Sequence, residues 1–439
     1  MDFTLPEHLP GLLAEMDEFI EAEIKPLERG HMQYFDQRRE HARTDWDNDG
    51  VPSREWEELL AEMRRRADEA GWLRYGLPAS LSGRDGTNLD MAVIREHLAH
   101  KGLGLHNDLQ NESSIVGNFP QVIMMERFGT GAQRRLWSEA LITGERSMAF
   151  GLTEPRHGSD ATWLETHAEP DGDGWVINGA KRFNTGVHRA THDLIFARTS
   201  GEPGAAVGIT AFLVPTDAPG FKVPFFWWTF NMPTDHGEVE LNDVRVPGDA
   251  VLGEVDRGLE VAQTFLHENR IRQAASSLGA AQYCIDRAAD YARERTVFGK
   301  PLSVNQAVQW PLAELATEAQ MVRLLVQYAA WHLDRDHHME VSDKVSMANY
   351  RANRLVCDAA DRAMQIFGGL GYSRHEPFEH IYRHHRRYRI TEGSEEIQMR
   401  KVGAFLFGYL GPKRKAFSNI GWEAVDYREE GQIRTNVGF

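Results

Sequence analysis

The strongest constraint on the fold is a helical repeat that fills most of the chain beyond Gly258. Apolar and small residues recur there at three- and four-residue steps, the spacing of one helix face. The three stripes are Leu259, Ala262, Leu266, Ala274, Leu278, Ala281, Ile285 and Ala288; Leu312, Leu315, Ala319, Val322, Leu325 and Ala329; and Val345, Ala348, Ala352, Leu355, Ala359, Ala363 and Ile366. A fourth helix is predicted to begin at Ser394, a favourable N-cap, with Glu395 and Glu396 in its first turn. Four long amphipathic helices predict a four-helix bundle.

Residues 147–255 have a different pattern. Short β-branched or aromatic runs, WVIN, DLIFART, GITAFLVP and GEVELNDVRVP, are separated by Gly, Pro, Asn and Asp. Such runs are typical of strands, and the pair Asn178-Gly179 is a hairpin-turn signal. The segment therefore predicts a central antiparallel β-domain.

The first 146 residues are predicted to be helical. One apolar stripe runs from Leu12 to Ile24 and is expected to end at Pro26, and a second runs from Trp56 to a stop at Gly71. Residues 29–49, between them, are polar without a clear period and are expected to form a surface excursion. The predicted class is thus α+β and multidomain: an N-terminal helical domain (1–146), the antiparallel β-domain (147–255), the C-terminal four-helix bundle (256–415) and a tail (416–439).

Composition limits the function. The 49 Lys and Arg residues against 65 Asp and Glu residues give a net charge of −16, which argues against nucleic acid as the main partner. The two cysteines, Cys284 and Cys357, lie in alanine-rich helical patterns and give no metal-ligand spacing, so we expect buried free thiols and no metal. No signal peptide and no apolar run long enough for a membrane span is recognised, and we expect a cytoplasmic protein.

Four short stretches can bind a planar, phosphate-bearing ligand. LTEPRHGSD (152–160) is dense in hydroxyl and backbone donors, and GAKRFNTG (179–186) places Phe183 and Thr185 two apart, on one face of a strand. RTVFGKPL contains Arg295, suited to a pyrophosphate, and QIFGGLGY (365–372) has more glycine than a helix C-cap requires. Each also has a simpler explanation, as a turn, a core pair or a helix end.

A fifth stretch, ITEGSEEIQ, places Glu392 before Gly393, between a cationic run and a predicted helix. This carboxylate is either an ordinary loop residue before a turn glycine or a positioned general base. A desolvated glutamate has a raised pKa, which improves it as a base near neutral pH.

In this order and on this layout, the five stretches resemble the acyl-CoA dehydrogenase flavoprotein family over roughly residues 5 to 410. The resemblance implies one FAD between the β-domain and the bundle. The implied cofactor-binding residues are Phe150, Leu152, Thr153, Ser159, Phe183, Thr185, Arg295, Phe298, Gln306, Gln365, Ile366, Gly368, Gly369, Ser394 and Glu396. The group from Arg295 to Gly369 is implied to reach the FAD of a neighbouring subunit, hence a homo-oligomer, either a dimer or a tetramer.

The resemblance also implies a reaction, the α,β-dehydrogenation of an acyl-CoA in fatty acid β-oxidation. Glu392 is implied to remove the α-proton, flavin N5 to accept the β-hydride, and an electron-transferring flavoprotein to take the electrons. Ser159, Arg270 and Gly393 are implied to lie near the substrate. The rival position for the base on the first bundle helix holds Asn269, which is not acidic, and Glu268 is expected to face elsewhere.

Two other functions compete with this one. An acyl-CoA oxidase or flavin monooxygenase would share the fold, although Glu392 and the short chain favour dehydrogenation. A histidine-rich binder of metal or polyanions through HIYRHHRRYR would place His384 and His385 together, but adjacent helix residues do not face one point. Arg156 and His157 can bind the CoA phosphates or alter the acyl pocket, and the acyl group itself is not determined.

Overall fold

The structure is a computed structural model that describes residues 4–36, 38, 42–107, 113–336 and 340–410, without the side chains at 267 and 268. The predicted tail, 416–439, lies outside the described residues. Within them, three layers follow one another along the chain: helices, a sheet and a helical bundle.

The N-terminal part consists of α1 (His8–Phe19), a π-helical turn (Ile20–Ile24), α2 (Lys25–Arg29), α3 (Arg54–Glu69), α4 (Asn88–His100), α5 (Pro120–Phe128) and α6 (Gly131–Thr143). Capping boxes at Thr87 and Thr130 begin α4 and α6. The predicted stop at Pro26 was wrong, because the helical backbone continues to Arg29. Proline is tolerated there since it lies in the first turn of α2, where a backbone N–H is not required.

The polar excursion is held against the rest of the protein. It contains the short strand β1 (Thr44–Asp45), which pairs with β2 (Val51–Pro52) directly after the excursion. Asp49 accepts hydrogen bonds from the Phe226 N–H at its carboxylate, 2.6 Å, and from Trp228 Nε1 at its carbonyl, 2.8 Å. Trp46 also packs edge-on against Trp228. The described part of the excursion therefore covers the segment that precedes the last long strand.

The central sheet contains β3 (Met148–Gly151), β4 (His167–Asp171), β5 (Gly174–Thr185), β6 (His192–Arg198), β7 (Ile209–Pro215), β8 (Phe221–Lys222), β9 (His236–Pro247) and β10 (Val251–Leu252). Its order is β10-β7-β6-β4-β5-β9-β8, and β3 pairs with β6. The long pairings, β5 with β9 and β6 with β7, are antiparallel as predicted, whereas β3 and β4 meet β6 in parallel.

The predicted hairpin turn at Asn178-Gly179 was wrong, because both residues lie inside β5. Gly179 has φ +146° where the pairing of β5 with β9 shifts register, and a Cβ added there would lie 2.5 Å from Thr166 Oγ1. Glycine is therefore required by a β-bulge and a close neighbour, not by a turn.

The C-terminal part contains the predicted bundle: α7 (Gly258–Glu294), α8 (Gln306–Leu333), α9 (Ser342–Phe367) and α11 (Glu395–Leu406), with α10 (Phe378–Arg386) before α11. A hairpin of β11 (Thr296–Val297) and β12 (Lys300–Pro301) joins α7 to α8. The alanine stripes are buried between the helices, and Cys284 and Cys357 are buried free thiols, as predicted. None of the helices in the described ranges is long and apolar enough to cross a bilayer.

Candidate functional site

Glu392 lies in the short connection before α11, with φ +58° and a partly buried side chain. Its carbonyl oxygen accepts hydrogen bonds from Arg270 Nε of α7, 2.9 Å, and from Gln398 Nε2 of α11, 3.1 Å. Gln398 is itself buried and also donates to the Gly393 carbonyl, 3.0 Å. The backbone that carries the Glu392 carboxylate is therefore fixed from two helices.

Gly393 is required by this arrangement. Its φ is +87°, and an added Cβ would lie 3.0 Å from Arg270 Nη2 and 3.4 Å from both Gln398 and Ile397. A side chain would push the guanidinium away from the Glu392 carbonyl, so the glycine is explained by close packing beside the carboxylate.

Arg270 is the buried partner of the Glu392 segment. Burial lowers its pKa to about 10, opposed by the nearby Glu392 charge, and the guanidinium remains protonated at neutral pH. Its own carbonyl accepts from Asn349 Nδ2, 3.0 Å. The structure thus places the predicted residues Arg270, Glu392 and Gly393 in one cluster.

Sequence reasoning missed the buried polar network behind this cluster. Asn353 Nδ2 donates to Asn349 Oδ1, 3.1 Å, and Ser277 Oγ donates to Asn353 Oδ1, 2.7 Å. Ser277 Oγ also lies 3.0 Å from His385 Nδ1. Asn and Ser inside the otherwise apolar stripes of α7 and α9 were the available signal, because buried polar residues require partners.

The β-domain side rests on a buried ion pair that the sequence did not predict. Lys181 Nζ of β5 lies 2.7 Å from Glu154 Oε1, and both side chains are fully or almost fully buried. Burial alone would raise the pKa of Glu154, but Lys181 and the backbone donors of residues 165 and 166 outweigh it and hold that pKa below its usual value. The pair fixes the loop after β3, and the Arg182 N–H donates to the Thr153 carbonyl, 2.9 Å.

The predicted flavin residues of this side occupy the end of β3 and the end of β5. The Phe150 ring stacks on Phe265 of α7 with 4.0 Å between centroids, and Leu152 packs beside the same core. Phe183 and Thr185 are both exposed, as their predicted shared face requires, but Phe183 reaches it through a bulge with φ +61°.

The loop of residues 152–160 exposes Ser159 and pairs both of its cationic side chains. Arg156 forms an ion pair with Glu165, and His157 Nδ1 lies 2.8 Å from Asp160 Oδ2. Hydrogen bonding to Asp160 raises the pKa of His157. These carboxylates already neutralise the two groups suggested for the CoA phosphates.

The remaining predicted cofactor residues lie at the far end of α7. Arg295 follows its last turn, Phe298 is fully exposed at the tip of the β11–β12 hairpin, and Gln306 is exposed at the start of α8. Gln365, Gly368 and Gly369 are exposed at the end of α9, whereas the Ile366 side chain belongs to the bundle core. Only the backbone of Ile366 is available to a ligand.

Within one chain, the predicted flavin residues at β3 and β5 and the predicted cofactor residues at the far end of α7 lie far apart. Phe265 and Arg295 are thirty residues apart on α7 or at its end, which corresponds to about 45 Å along the helix axis. A single dinucleotide therefore cannot contact both Phe265 and Arg295 within one protomer.

The first turn of α11 completes the cluster. Ser394 is its N-cap and bonds to the exposed Glu396, which lowers the pKa of Glu396. The Glu395 carboxylate already binds two arginines: it accepts from Arg354 Nε, 3.0 Å, and from Arg389 Nε, 2.9 Å. At the rival base position, the side chain is the amide of Asn269, whose Oδ1 accepts from Asn118 Nδ2, 3.0 Å. The prediction that Glu268 faces elsewhere falls on a side chain outside the described residues.

The residues fit FAD in two halves. The β-domain offers an exposed ring, Phe183, beside the loop of Thr153, which suits a flat heterocycle. The far end of α7 offers Arg295 and two glycines, Gly368 and Gly369, around which an added Cβ would meet nothing within 4 Å. Open backbone and a guanidinium are both groups that suit a pyrophosphate.

Comparisons with known proteins cover nearly the whole chain. It matches the N-terminal, middle and C-terminal domains of acyl-CoA dehydrogenase over residues 11–145, 149–244 and 256–407. The mitochondrial short-chain specific acyl-CoA dehydrogenase of Bos taurus is 32% identical over 79% of this chain and 82% of its own. The caffeyl-CoA reductase-Etf complex subunit CarC of Acetobacterium woodii is 30% identical over 80% of this chain and 90% of its own. The crystal structure of acyl-CoA dehydrogenase from Geobacillus kaustophilus superimposes with a TM-score of 0.74 at 27% identity, covering 92% of this chain and 100% of that one.

Proposed function

Because the chain belongs to the acyl-CoA dehydrogenase family of FAD-dependent oxidoreductases, we propose that it oxidises an acyl-CoA to a trans-2-enoyl-CoA with Glu392 as the base. The observation that carries this proposal is the position of Glu392, which Arg270 and Gln398 fix through its own carbonyl oxygen. A fixed backbone at Glu392 supports this role, because proton abstraction requires a base that is held in position.

The chain's own groups account for the proton transfer. Glu392 takes the α-proton of the thioester, and its backbone N–H polarises the thioester oxygen, where negative charge develops. Arg270 keeps a positive charge close to the Glu392 segment, and Gly393 allows the backbone to pass close to the substrate. The Glu395 carboxylate, held by two arginines, takes no part.

FAD, when bound, supplies the two-electron oxidant that accepts the β-hydrogen as a hydride. Thr153, Phe183 and Thr185 would hold its flavin end, with Phe150, Leu152 and Ser159 around them. Ser394 and Glu396 would lie beside it at the start of α11. Arg295, Phe298, Gln306 and the segment from Gln365 to Gly369 would hold the adenine and pyrophosphate end.

The two halves support a site shared between subunits. Since the adenine-end residues lie about 45 Å along α7 from the flavin end, each protomer would complete the site of another, in a homodimer or homotetramer. An electron-transferring flavoprotein is the proposed acceptor, supported by the similarity to a subunit of an Etf complex. The buried reduced thiols support a reducing compartment such as the cytoplasm.

The test is anaerobic titration of the purified holoprotein with acyl-CoAs of different lengths, followed by flavin absorbance. We expect stoichiometric FAD and bleaching by at least one acyl-CoA, and loss of bleaching by more than about 1000-fold in rate in Glu392→Gln. Glu240→Gln, an exposed carboxylate on β9, is the matched control and should behave like wild type. Undiminished bleaching in Glu392→Gln, or peroxide formation in air as fast as turnover with the flavoprotein acceptor, would contradict this function.

A further inference from the structure

The ends of β5 and β9 meet beside the proposed flavin site. Thr185, the last residue of β5, lies directly opposite His236, the first residue of β9, in the antiparallel pairing of the two strands. Side chains that lie opposite each other in a sheet are on the same face, so His236 shares the face of the exposed residue Thr185. The proposed function assigns no role to this histidine.

Two polar contacts join His236 to its neighbours. Its Nδ1 lies 2.7 Å from Asp235 Oδ1 and 3.3 Å from Thr185 Oγ1. The side chains of His236 and Asp235 are only 15% and 16% exposed. Within the part of the chain that the structure describes, His236 is the only hydrogen-bond partner of the Thr185 hydroxyl.

The backbone holds the Asp235–His236 pair in place. The Gly186 N–H donates to the Asp235 carbonyl, 2.7 Å, and the Trp227 N–H donates to the His236 carbonyl, 2.9 Å. Trp227 also packs against Phe183, with 5.5 Å between the ring centroids. The pair is therefore fixed to the end of β5 that carries the predicted flavin residues.

The charge of Asp235 decides which nitrogen of His236 carries the hydrogen. Burial alone would raise the pKa of Asp235, but the charges of His236, Arg387 and His188 outweigh it and lower that pKa to about 2. Asp235 is therefore an anion at neutral pH, and its oxygens only accept hydrogen bonds. Because a lone pair on Nδ1 would repel a carboxylate oxygen at 2.7 Å, the imidazole hydrogen is on Nδ1.

The direction of the Thr185 contact follows from this tautomer. Since Nδ1 carries a hydrogen, Thr185 Oγ1 is the acceptor in the 3.3 Å contact, and the hydroxyl hydrogen is left for another acceptor. Thr185 is exposed on the face that it shares with Phe183, where the flavin is proposed to lie. The edge of a flavin ring carries nitrogen and carbonyl oxygen atoms that accept hydrogen bonds.

We propose that His236, oriented by Asp235, is a positioning residue that keeps the Thr185 hydroxyl directed as a hydrogen-bond donor to the flavin. This inference rests on the proposed function, because it assigns a role at the flavin site proposed there. When the flavin accepts two electrons, negative charge develops on its ring, and a fixed donor stabilises that charge. The contacts from Asp235 through His236 to Thr185 therefore favour reduction of the bound flavin.

The test is the midpoint potential of the bound FAD, measured by equilibration with a redox dye in the absence of acyl-CoA. His236→Gln removes the donor from the Nδ1 position and should make reduction about tenfold less favourable, which corresponds to about 30 mV for a two-electron couple. His236→Asn places an amide N–H close to the Nδ1 position and should restore most of the wild-type potential. His100→Gln is the matched control, because His100 also meets an aspartate, Asp286 at 2.8 Å, but on α4; it should leave the potential unchanged.

A double-mutant cycle determines whether His236 acts through Thr185. Thr185→Val removes the hydroxyl and should lower the potential as much as His236→Gln does, whereas Thr185→Ser keeps the hydroxyl and should have little effect. In the Thr185→Val chain, His236→Gln should cause no further change. An equal effect of His236→Gln in both chains, or no lowering in the wild-type chain, would overturn the inference.

Asp235→Asn keeps the inference testable if His236→Gln does not fold. Without the carboxylate, the hydrogen is no longer held on Nδ1, so the Thr185 hydroxyl loses its fixed direction and the potential should fall. An unchanged potential in Asp235→Asn would also overturn the inference.

The possible failures are distinguishable, because the potential is measured without acyl-CoA. A potential that is insensitive to these substitutions overturns the inference and leaves the proposed dehydrogenation intact. If FAD binds but no acyl-CoA bleaches it, the proposed function is wrong, and the potentials still decide the inference. Purified protein that binds no FAD would contradict both.

Discussion

The two ends of α7 lie beside residues predicted for the same cofactor, yet they differ in burial and in the contacts that their side chains make. At the N-terminal end, Arg270 is buried and bonded to the Glu392 carbonyl, and Phe265 is stacked on Phe150. At the C-terminal end, Arg295 and Phe298 are exposed, the latter completely.

This difference indicates which contacts each end of α7 has within one protomer. The first end is complete within one protomer, because its polar groups meet partners from α9 and α11. The second presents an aromatic ring and a guanidinium to solvent, where both are accessible to a ligand or to another subunit. We therefore expect the first end to control catalysis and folding and the second to control cofactor retention and assembly.

The largest effect is expected at the N-terminal end of α7, where Arg270 and Phe265 are packed; this region is called the packed end. Arg270→Leu removes the donor to the Glu392 carbonyl and should lower kcat by about 100- to 1000-fold, because the carboxylate loses its position. KM should change little, and FAD should remain bound. Steady-state kinetics and the flavin-to-protein ratio measure this.

Arg270→Lys is the matched variant for charge. A lysine keeps the cation without the guanidinium geometry, so we expect only partial recovery. Wild-type kcat in Arg270→Leu would show that the Glu392 segment is positioned without α7.

The second test concerns the C-terminal end of α7, where Arg295 and Phe298 are exposed. Arg295→Ala combined with Phe298→Ala should weaken FAD binding by about 50-fold while leaving the far-UV spectrum and the Glu392 region intact. The decisive measurement is complementation: co-expression of this chain with the Glu392→Gln chain. Mixed oligomers should regain activity, since an intact Glu392 from the first chain can meet an intact Arg295 and Phe298 from the second. Absence of activity in isolated mixed oligomers would contradict shared sites.

A third test asks how much the buried network stabilises the packed end. Asn349→Ala removes the donor to the Arg270 carbonyl and to Gln273 Oε1. The free energy of unfolding should fall by ~1.5 kcal/mol, because buried acceptors lose their partner. Urea denaturation measures it, and Thr317→Ala, an exposed hydroxyl on α8, serves as the control. Equal effects of the two substitutions would contradict a stabilising network.

The smallest expected effect concerns Lys401 of α11. Burial, reinforced by repulsion from Arg270, lowers its pKa to about 8 from 10.5. Between these values the unfolded chain binds more protons than the folded one, so this lysine destabilises the fold at pH 7 and the penalty disappears as pH rises from 8 to 10.5. Lys401→Met should therefore stabilise the protein at pH 7, by no more than ~1 kcal/mol after allowance for partial exposure, and by less at pH 9.5.

Lys401→Arg is the control, since arginine keeps its charge over this range and should show no recovery at pH 9.5. Thermal unfolding at the two pH values measures both variants. A gain for Lys401→Met that does not shrink with pH would contradict the assigned cause.

Much of the fold and of the candidate site was predictable from the sequence, because the local sequence patterns agreed with the tertiary packing. The alanine stripes of α7, α8 and α9 were visible as a period, and all three are buried. Ser394 was predicted as an N-cap from residue type alone, and α11 begins directly after it. Glu392 was singled out by the glycine that follows it, and φ +87° at Gly393 gives the physical reason. The roles of the cofactor residues and the domain boundaries stay predictions.

The wrong predictions came from signals with two physical causes. Asn178-Gly179 has the composition of a hairpin turn, but the same freedom of glycine serves a bulge inside β5. Pro26 has the composition of a helix stop, but a proline in the first turn of a helix loses no hydrogen bond. Only the neighbours in space, such as Thr166 beside Gly179, distinguish these cases.

The sequence by itself therefore determined the helix–sheet–helix order, the buried stripes and the candidate carboxylate, because each depends on residues close together along the chain. Only the packing of distant segments brings Lys181 to Glu154 and Arg270 to the Glu392 carbonyl. Those pairings join residues from separate elements, and contacts between distant segments depend on how the elements pack rather than on any local pattern.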